Sequence, residues 1–368
     1  MDFKDYFDQA LCQDLSQRAA ALAPCFDASR YQAALPTDLQ GLEMKARVRA
    51  LAEALWHGLG LPFDKAVAVL TGMLDAVPQA RLGRMSGFPV WVIADIVETR
   101  GLDCFELAMQ AIHKVTRHFT SEFAIRPYLV AYPRQTLAVL AGWLDDDSAD
   151  VRRLVSEGTR PRLPWASRVP SLLLDPTPIL PLLERLRDDP SLYVRRSVAN
   201  NLNDISKDHP ALVVELLSRW KAELPSEQGQ WMVRHAARTL TRQGNTAALE
   251  LLGYSRTAPI KVKRFEVSPP RIVAGQSITL DCDIQVEGAG EHGLMVDYAI
   301  LAPGARGQVN RRVFKWSKRK KQAQGSVSLQ REHGIATNQV RSYYPGAHQI
   351  QLIINGQVLA EGNFELGN

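Results

Sequence analysis

The chain has few cysteines, and they form no pattern. Cys12, Cys25, Cys104 and Cys282 make no CxxC pair and no His/Cys cluster, which argues against a disulfide framework and a structural zinc site. Long apolar runs are missing as well. Nothing approaches the roughly 20 residues that span a bilayer, and the opening Met1-Asp2-Phe3-Lys4-Asp5 is no basic-then-apolar leader. No Gly-rich phosphate loop, HExxH or GxSxG occurs, and the eight histidines show no metal-ligand spacing. Nucleotide hydrolysis, metalloprotease chemistry and serine hydrolysis are therefore disfavoured. These absences predict a reduced, cytoplasmic protein without a metal site and without a membrane span.

What is present suits two soluble domains: 368 residues, 46% hydrophobic and 23% charged. The net charge of +5 is unevenly placed. Residues 259–368 hold 14 Lys+Arg against 9 Asp+Glu, while the first 258 residues hold 30 of each. Such asymmetry suggests an anionic partner for the last third.

Residues 1–257 read as helices, with apolar residues at helical spacing between Gly and Pro breaks. A repeat stands in the middle. Asp146-Asp147-Ser148-Ala149-Asp150-Val151-Arg152-Arg153 matches Asp189-Pro190-Ser191-Leu192-Tyr193-Val194-Arg195-Arg196, with the valines 43 residues apart; Trp231-Met232-Val233-Arg234 follows after a further 39. A period of about 40 to 47 residues is the mark of HEAT-like repeats, which stack into a solenoid with a concave groove. Asp or Ser would cap the helix start, Val194, Val198, Leu202 and Ile205 would form the core-facing stripe, and Gly244 would close a later helix.

At 258 the pattern changes to period two, in Ile260–Phe265, Ser277–Ile284 and His348–Ile353, with turns at Pro303-Gly304, Pro345-Gly346 and Asn355-Gly356. Residues 258–368 thus read as an all-β immunoglobulin-like sandwich without the antibody-type disulfide. The fold class is mainly α: a HEAT-like helical repeat solenoid followed by that sandwich.

Polar residues on the middle repeats are the candidates for chemistry. At about 100° per residue, Glu157 lies away from the Val151/Val155 stripe. Asn200 is its counterpart one repeat on, and Asp204 follows one turn later. Stacking would place such positions about 10 Å apart, so Glu157 and Asp204 share one groove unless both are merely solvated. The loop Glu157–Arg168 carries Trp165 between prolines and arginines. Trp165 either offers a flat face to a sugar or base or lids the core, and Arg160 and Arg162 would bind phosphates. In Phe119–Pro127, Thr120 or Ser121 reads as a cap, Arg126-Pro127 as the end of a short helical run, and Phe123 and Ile125 as core in preference to ligand contacts. In Arg311–Lys321, period two puts Arg312, Phe314 and Trp316 on one face, with Lys318, Arg319, Lys320 and Lys321 at a turn.

The Thr120–Pro127 segment, the Val151–Glu157 helix, the Pro161–Trp165 loop and the Val194–Asp204 run together resemble the AlkC/AlkD alkylpurine DNA glycosylases. The basic sandwich makes the AlkC branch the closer one. The resemblance implies excision of cationic N3-methylated bases, such as 3-methyladenine and 3-methylcytosine, from double-stranded alkylated DNA in base excision repair. It implies Glu157 and Asp204 as charge-stabilising and water-positioning groups, Trp165 facing the sugar, Glu122 and Phe123 beside it, and Arg152 on a phosphate. No cofactor is expected, and the protein is read as a monomer associated with the bacterial nucleoid. The alternatives are a non-catalytic HEAT scaffold for protein partners and an architectural nucleic-acid binder. Release of methylated bases separates them.

Overall fold

The computed structural model describes residues 2–75, 85, 87–305, 308–336 and 343–367. The chain divides into two compact units, one of Met1–Asp208 with Leu224–Ala236, the other of His209–Glu223 with Ala237–Asn368.

The first unit is helical. Its repeat register follows from a local device used twice. Asp146 Oδ1 accepts from Ser148 N, and Asp189 Oδ1 accepts from Ser191 N, each at 2.8 Å. Both turns feed a helix, Ala149–Gly158 and Leu192–Ile205, with Val151 and Val194 as third residues. Ser148 and Ser191 occupy the N-cap positions but make no side-chain cap bond; the aspartates supply the local acceptors instead. Val194, Val198, Leu202 and Ile205 are buried as the stripe requires. The helices Phe105–Thr116, Ala149–Gly158, Leu192–Ile205 and Glu227–Ala236 pack in series. The third sequence match is out of register, since Val233 is the seventh residue of its helix. Arg126-Pro127 opens the helix Arg126–Ala131 instead of ending one, because proline is tolerated in a first turn, where its missing N–H has no partner to lose.

Arginine side chains tie successive repeats. Arg152 donates Nε and Nη2 to the Asp189 carboxylate at 2.7 and 3.1 Å, and Nη1 to the carbonyls of Asp146 and Asp147. Arg117 makes the corresponding link to Asp146 and Asp147.

Among its described residues, the second unit joins three helices, Pro210–Glu223, Arg238–Arg242 and Thr246–Leu251, to eight strands. Gly244, at φ 76°, follows the second helix as expected. The strands are β1 Ile260–Ser268, β2 Arg271–Ile272, β3 Ser277–Val286, β4 His292–Pro303, β5 Val309–Gln322, β6 Gly325–Gly334, β7 Gly346–Ile354 and β8 Gln357–Leu366. They form sheets of order β1-β3-β6 and β2-β8-β7-β4-β5. Strand β3 shows the period-two rule plainly: Ile278, Leu280, Cys282, Ile284 and Val286 are buried, and the residues between them only partly so. Ile278 and Leu280 meet Tyr298, Ile300, Ile350 and Phe364 of the other sheet, and Cys282 and Ile284 meet Leu352. Asn355 and Gly356, at φ 47° and 78°, make the two-residue β7–β8 hairpin.

The Lys318–Lys321 run is not a turn. It continues β5, with Lys318 opposite Met295 and Arg319 opposite Leu294 on the long strand β4, before the pairing shifts register between Leu294 and His292. Phe314 and Trp316 share the inward face, as period two predicts, and pack on the core.

Candidate active site

The C-terminal ends of two neighbouring repeat helices carry Glu157 and Asp204. Both are buried, 5% and 2% exposed, so neither is a solvated helix carboxylate. The structure brings them onto one guanidinium. Arg160 follows the first helix directly; its Nη1 donates to Glu157 Oε1 at 2.6 Å and its Nε to Asp204 Oδ2 at 2.8 Å. Burial opposes the charge of Arg160, but Glu157 and Asp204 outweigh it and hold the group above the ordinary arginine value.

The pairing extends in both directions. Ser197 Oγ donates to Glu157 Oε2 at 2.6 Å, and Arg153 Nη2 lies 3.3 Å from Glu157 Oε1. Arg153 also binds Glu122, while Thr120 Oγ1 donates to the same Glu122 oxygen at 2.9 Å. At the far end Lys207 Nζ donates to Asp204 Oδ1 at 2.9 Å. Signs thus alternate along Glu122, Arg153, Glu157, Arg160, Asp204 and Lys207: three carboxylates and three cations, mostly withdrawn from water. Such charge-assisted bonds fix each oxygen in place.

The loop rooted in this network exposes Trp165. Its indole is 69% exposed and its φ is +64°, a region that bulky side chains rarely adopt. The core-lid reading of Trp165 is thereby removed. The buried Arg126 anchors the loop, with Nη1 to the carbonyls of Gly158 and Arg160 at 3.0 and 2.9 Å and Nε to that of Ser167 at 2.7 Å. Burial first, and then the nearby Arg160 charge, push Arg126 down to about 10. Lys45 Nζ holds the carbonyl of Trp165 itself at 2.7 Å.

The remaining expected residues divide. Arg152, Arg160 and Arg162 are each engaged within the chain. Arg160 neutralises two buried carboxylates, Arg152 links repeats, and Arg162 is bidentate to Asp208 at 2.9 and 2.7 Å. Phe123, expected beside the sugar, is 9% exposed and stacks on Trp91 at 5.0 Å between centroids. In the second unit, Arg312 packs over Tyr343 and Lys318 over Tyr254, and Arg319 Nη1 donates to Gln322. The side chains of Lys320 and Lys321 lie outside the described residues. Sequence reasoning missed Arg153, Ser197, Lys207, Arg126 and Lys45. Of these, Arg126, Arg153 and Ser197 stood within segments that carry the resemblance, while Lys45 and Lys207 stood outside them.

A pocket of 480 Å³ between Phe105, Met109, His113 and Trp143 is lined by none of the network residues. Among the described residues, no group of three or more His, Cys, Asp or Glu is arranged to hold a metal ion. No helix there is long and apolar enough to cross a membrane.

Residues 261–368 match the family model for the C-terminal immunoglobulin-like domain of the uncharacterised protein YhaZ. The chain is 35% identical over 369 residues to the uncharacterised protein YhaZ of Bacillus subtilis (strain 168), covering 99% of each. It is also similar to the solved structure of Pseudomonas fluorescens alkylpurine DNA glycosylase AlkC bound to DNA containing an abasic site analog. The TM-score there is 0.88, with 34% identity and 99% of each chain covered. The chain belongs to the AlkC/AlkD alkylpurine DNA glycosylase family, in the AlkC branch that carries a C-terminal immunoglobulin-like domain.

Proposed function

We propose that the protein is a DNA glycosylase that excises cationic N3-methylated bases, 3-methyladenine and 3-methylcytosine, from duplex DNA in base excision repair. One observation carries this reading: Glu122, Glu157 and Asp204 are joined in a single charge-balanced network at the root of the loop that exposes Trp165. The AlkC relative was solved on DNA with an abasic-site analog, and an abasic site is what base excision leaves.

The chemistry suits these groups. When the bond from C1′ to a methylated, cationic base breaks, its electron pair neutralises the base, which leaves without a general acid. Positive charge moves to the sugar as an oxocarbenium ion. Glu157 and Asp204 stabilise that ion and orient the water that attacks C1′; a carboxylate takes the water's proton. Arg153, Ser197 and Arg160 keep the carboxylate oxygens pre-set, so little reorganisation accompanies the reaction. The Trp165 face adds cation–π attraction. A stacked-repeat groove cradles the duplex, and Arg312, Lys318, Arg319, Lys320 and Lys321 give the sandwich its own positive charge for binding DNA. The enzyme works as a cytoplasmic monomer without a cofactor.

Incubating the purified protein with methylated duplex and measuring freed bases tests this. Release of 3-methyladenine should far outpace release of uracil or hypoxanthine, whose departure needs protonation. Comparable release of uracil refutes the assignment. No release, with DNA affinity only at the non-specific level of about 10⁻⁴ to 10⁻⁶ M, favours the scaffold alternative.

A further inference from the structure

We infer that Lys45 is a positioning residue for Trp165, setting the indole toward the reacting sugar through the main chain without touching substrate; the inference rests on the glycosylase reading above. Lys45 is placed at some cost. It stands in the first turn of the helix Met44–Leu59, which has no acidic residue in that turn and no side-chain cap bond from Glu43. The helix dipole there disfavours a cation. The side chain nevertheless reaches a residue far along the chain, donating to the Trp165 carbonyl at 2.7 Å. Its Nζ also sits 5.1 Å from the centre of the Phe123 ring, which Trp91 backs by stacking. Asp95 and Glu98 lie close enough to feel its charge.

The loop is therefore held from two sides. Arg126 binds the carbonyls of Gly158, Arg160 and Ser167, and Lys45 binds that of Trp165. Arg126 fixes the ends of the loop. Lys45 fixes the carbonyl of the residue whose backbone sits at φ +64°. Without that bond a bulky residue has better backbone wells to occupy, and the exposed indole samples several directions. The observed rate then falls with the fraction of molecules that keep the competent one.

The test uses the full chain and duplex containing 3-methyladenine. Lys45→Met keeps the stem and removes the donor; Lys45→Arg restores a donor. Lys45→Met should lower the single-turnover rate by about tenfold or more with DNA affinity little changed, the size expected if the competent indole falls to a tenth of molecules. Lys45→Arg should recover most of that loss. In a Trp165→Ala background, Lys45→Met should add nothing, because both changes remove one effect. Additive losses overturn the inference. So does a pattern in which affinity and its salt slope fall while the saturated rate holds, which marks Lys45 as a phosphate contact. If the unmodified chain releases no methylated base, the glycosylase reading fails and the loop is still measurable. Acrylamide quenching of Trp165 fluorescence, taken as the difference from Trp165→Phe, should change in Lys45→Met. An unchanged difference signal overturns the positioning role on its own.

Discussion

Glu157 and Asp204, carried by two different repeat helices, bind the same guanidinium: Arg160 reaches the first through Nη1 at 2.6 Å and the second through Nε at 2.8 Å. Neither carboxylate can change without altering what the other faces.

Glu157→Gln and Asp204→Asn should each lower the single-turnover release of 3-methyladenine by about 10²–10³, the usual loss for a pre-set electrostatic group. DNA affinity should hold, since both carboxylates are buried and the lost charge acts in the transition state. Both variants should also lose stability, because Arg160 stays buried with one partner fewer. Rates are therefore compared below each variant's melting midpoint. Glu184→Gln, at a surface pair with Arg187, should leave the rate unchanged. Full activity in both folded site variants would falsify the mechanism.

Arg160→Met separates an internal role from a phosphate contact. It leaves Glu157 and Asp204 buried without their shared cation and should cost about 3–5 kcal/mol in urea unfolding. The salt dependence of DNA binding should not change. A flattened salt slope with intact stability would show instead that Arg160 serves the DNA backbone.

The basic strand predicts the opposite signature. Reversing Lys318, Arg319, Lys320 and Lys321 to Glu on β5 should weaken binding to every DNA sequence and flatten the salt slope. Urea unfolding run alongside shows whether β5 keeps its place. Unchanged affinity and slope in a folded variant dismiss the sandwich as a DNA grip.

Asp297, buried in β4 against Lys315 at 2.7 Å, predicts a pH effect. Burial raises its pKa in spite of Lys315. A raised native value means that the folded chain binds this proton at higher pH than the unfolded chain does. Its contribution to stability is then complete below the ordinary aspartate value of about 4, and is lost as pH rises through the native value. Asp297→Asn removes that loss. The stability of the unmodified chain relative to the variant should fall from about pH 4 upward and level off once Asp297 ionises. Denaturant titrations at several pH values check this, and a gap independent of pH contradicts it.

Much of the molecule can be read from local pattern. Period two exposes the inward face of β3, and the repeated Asp-x-Ser turn exposes the shared register of the Val151 and Val194 helices. That register was enough to bring Glu157 near Asp204. It was silent on what lies between them, because Arg160 belongs to a loop with no period. It also could not reveal that the pair is buried, which depends on Ser197 and Arg153 closing over Glu157. Lys45 left no sequence signal, since its partner is a main-chain carbonyl in a remote loop. Arg126-Pro127 misled for a physical reason: proline stops a helix that precedes it and permits one that begins with it.

Trp165 sits in a backbone conformation that glycine would adopt freely, at a strain of about 1–2 kcal/mol for a side chain of its kind. Its indole is largely out in solvent, so folding recovers little of that strain through packing. Trp165→Gly should raise the thermal midpoint while abolishing excision. Drift governed by stability alone would carry this position away from tryptophan. A mutagenesis campaign aimed only at heat tolerance would therefore select against the indole at this position, trading the enzyme's activity for a more comfortable loop.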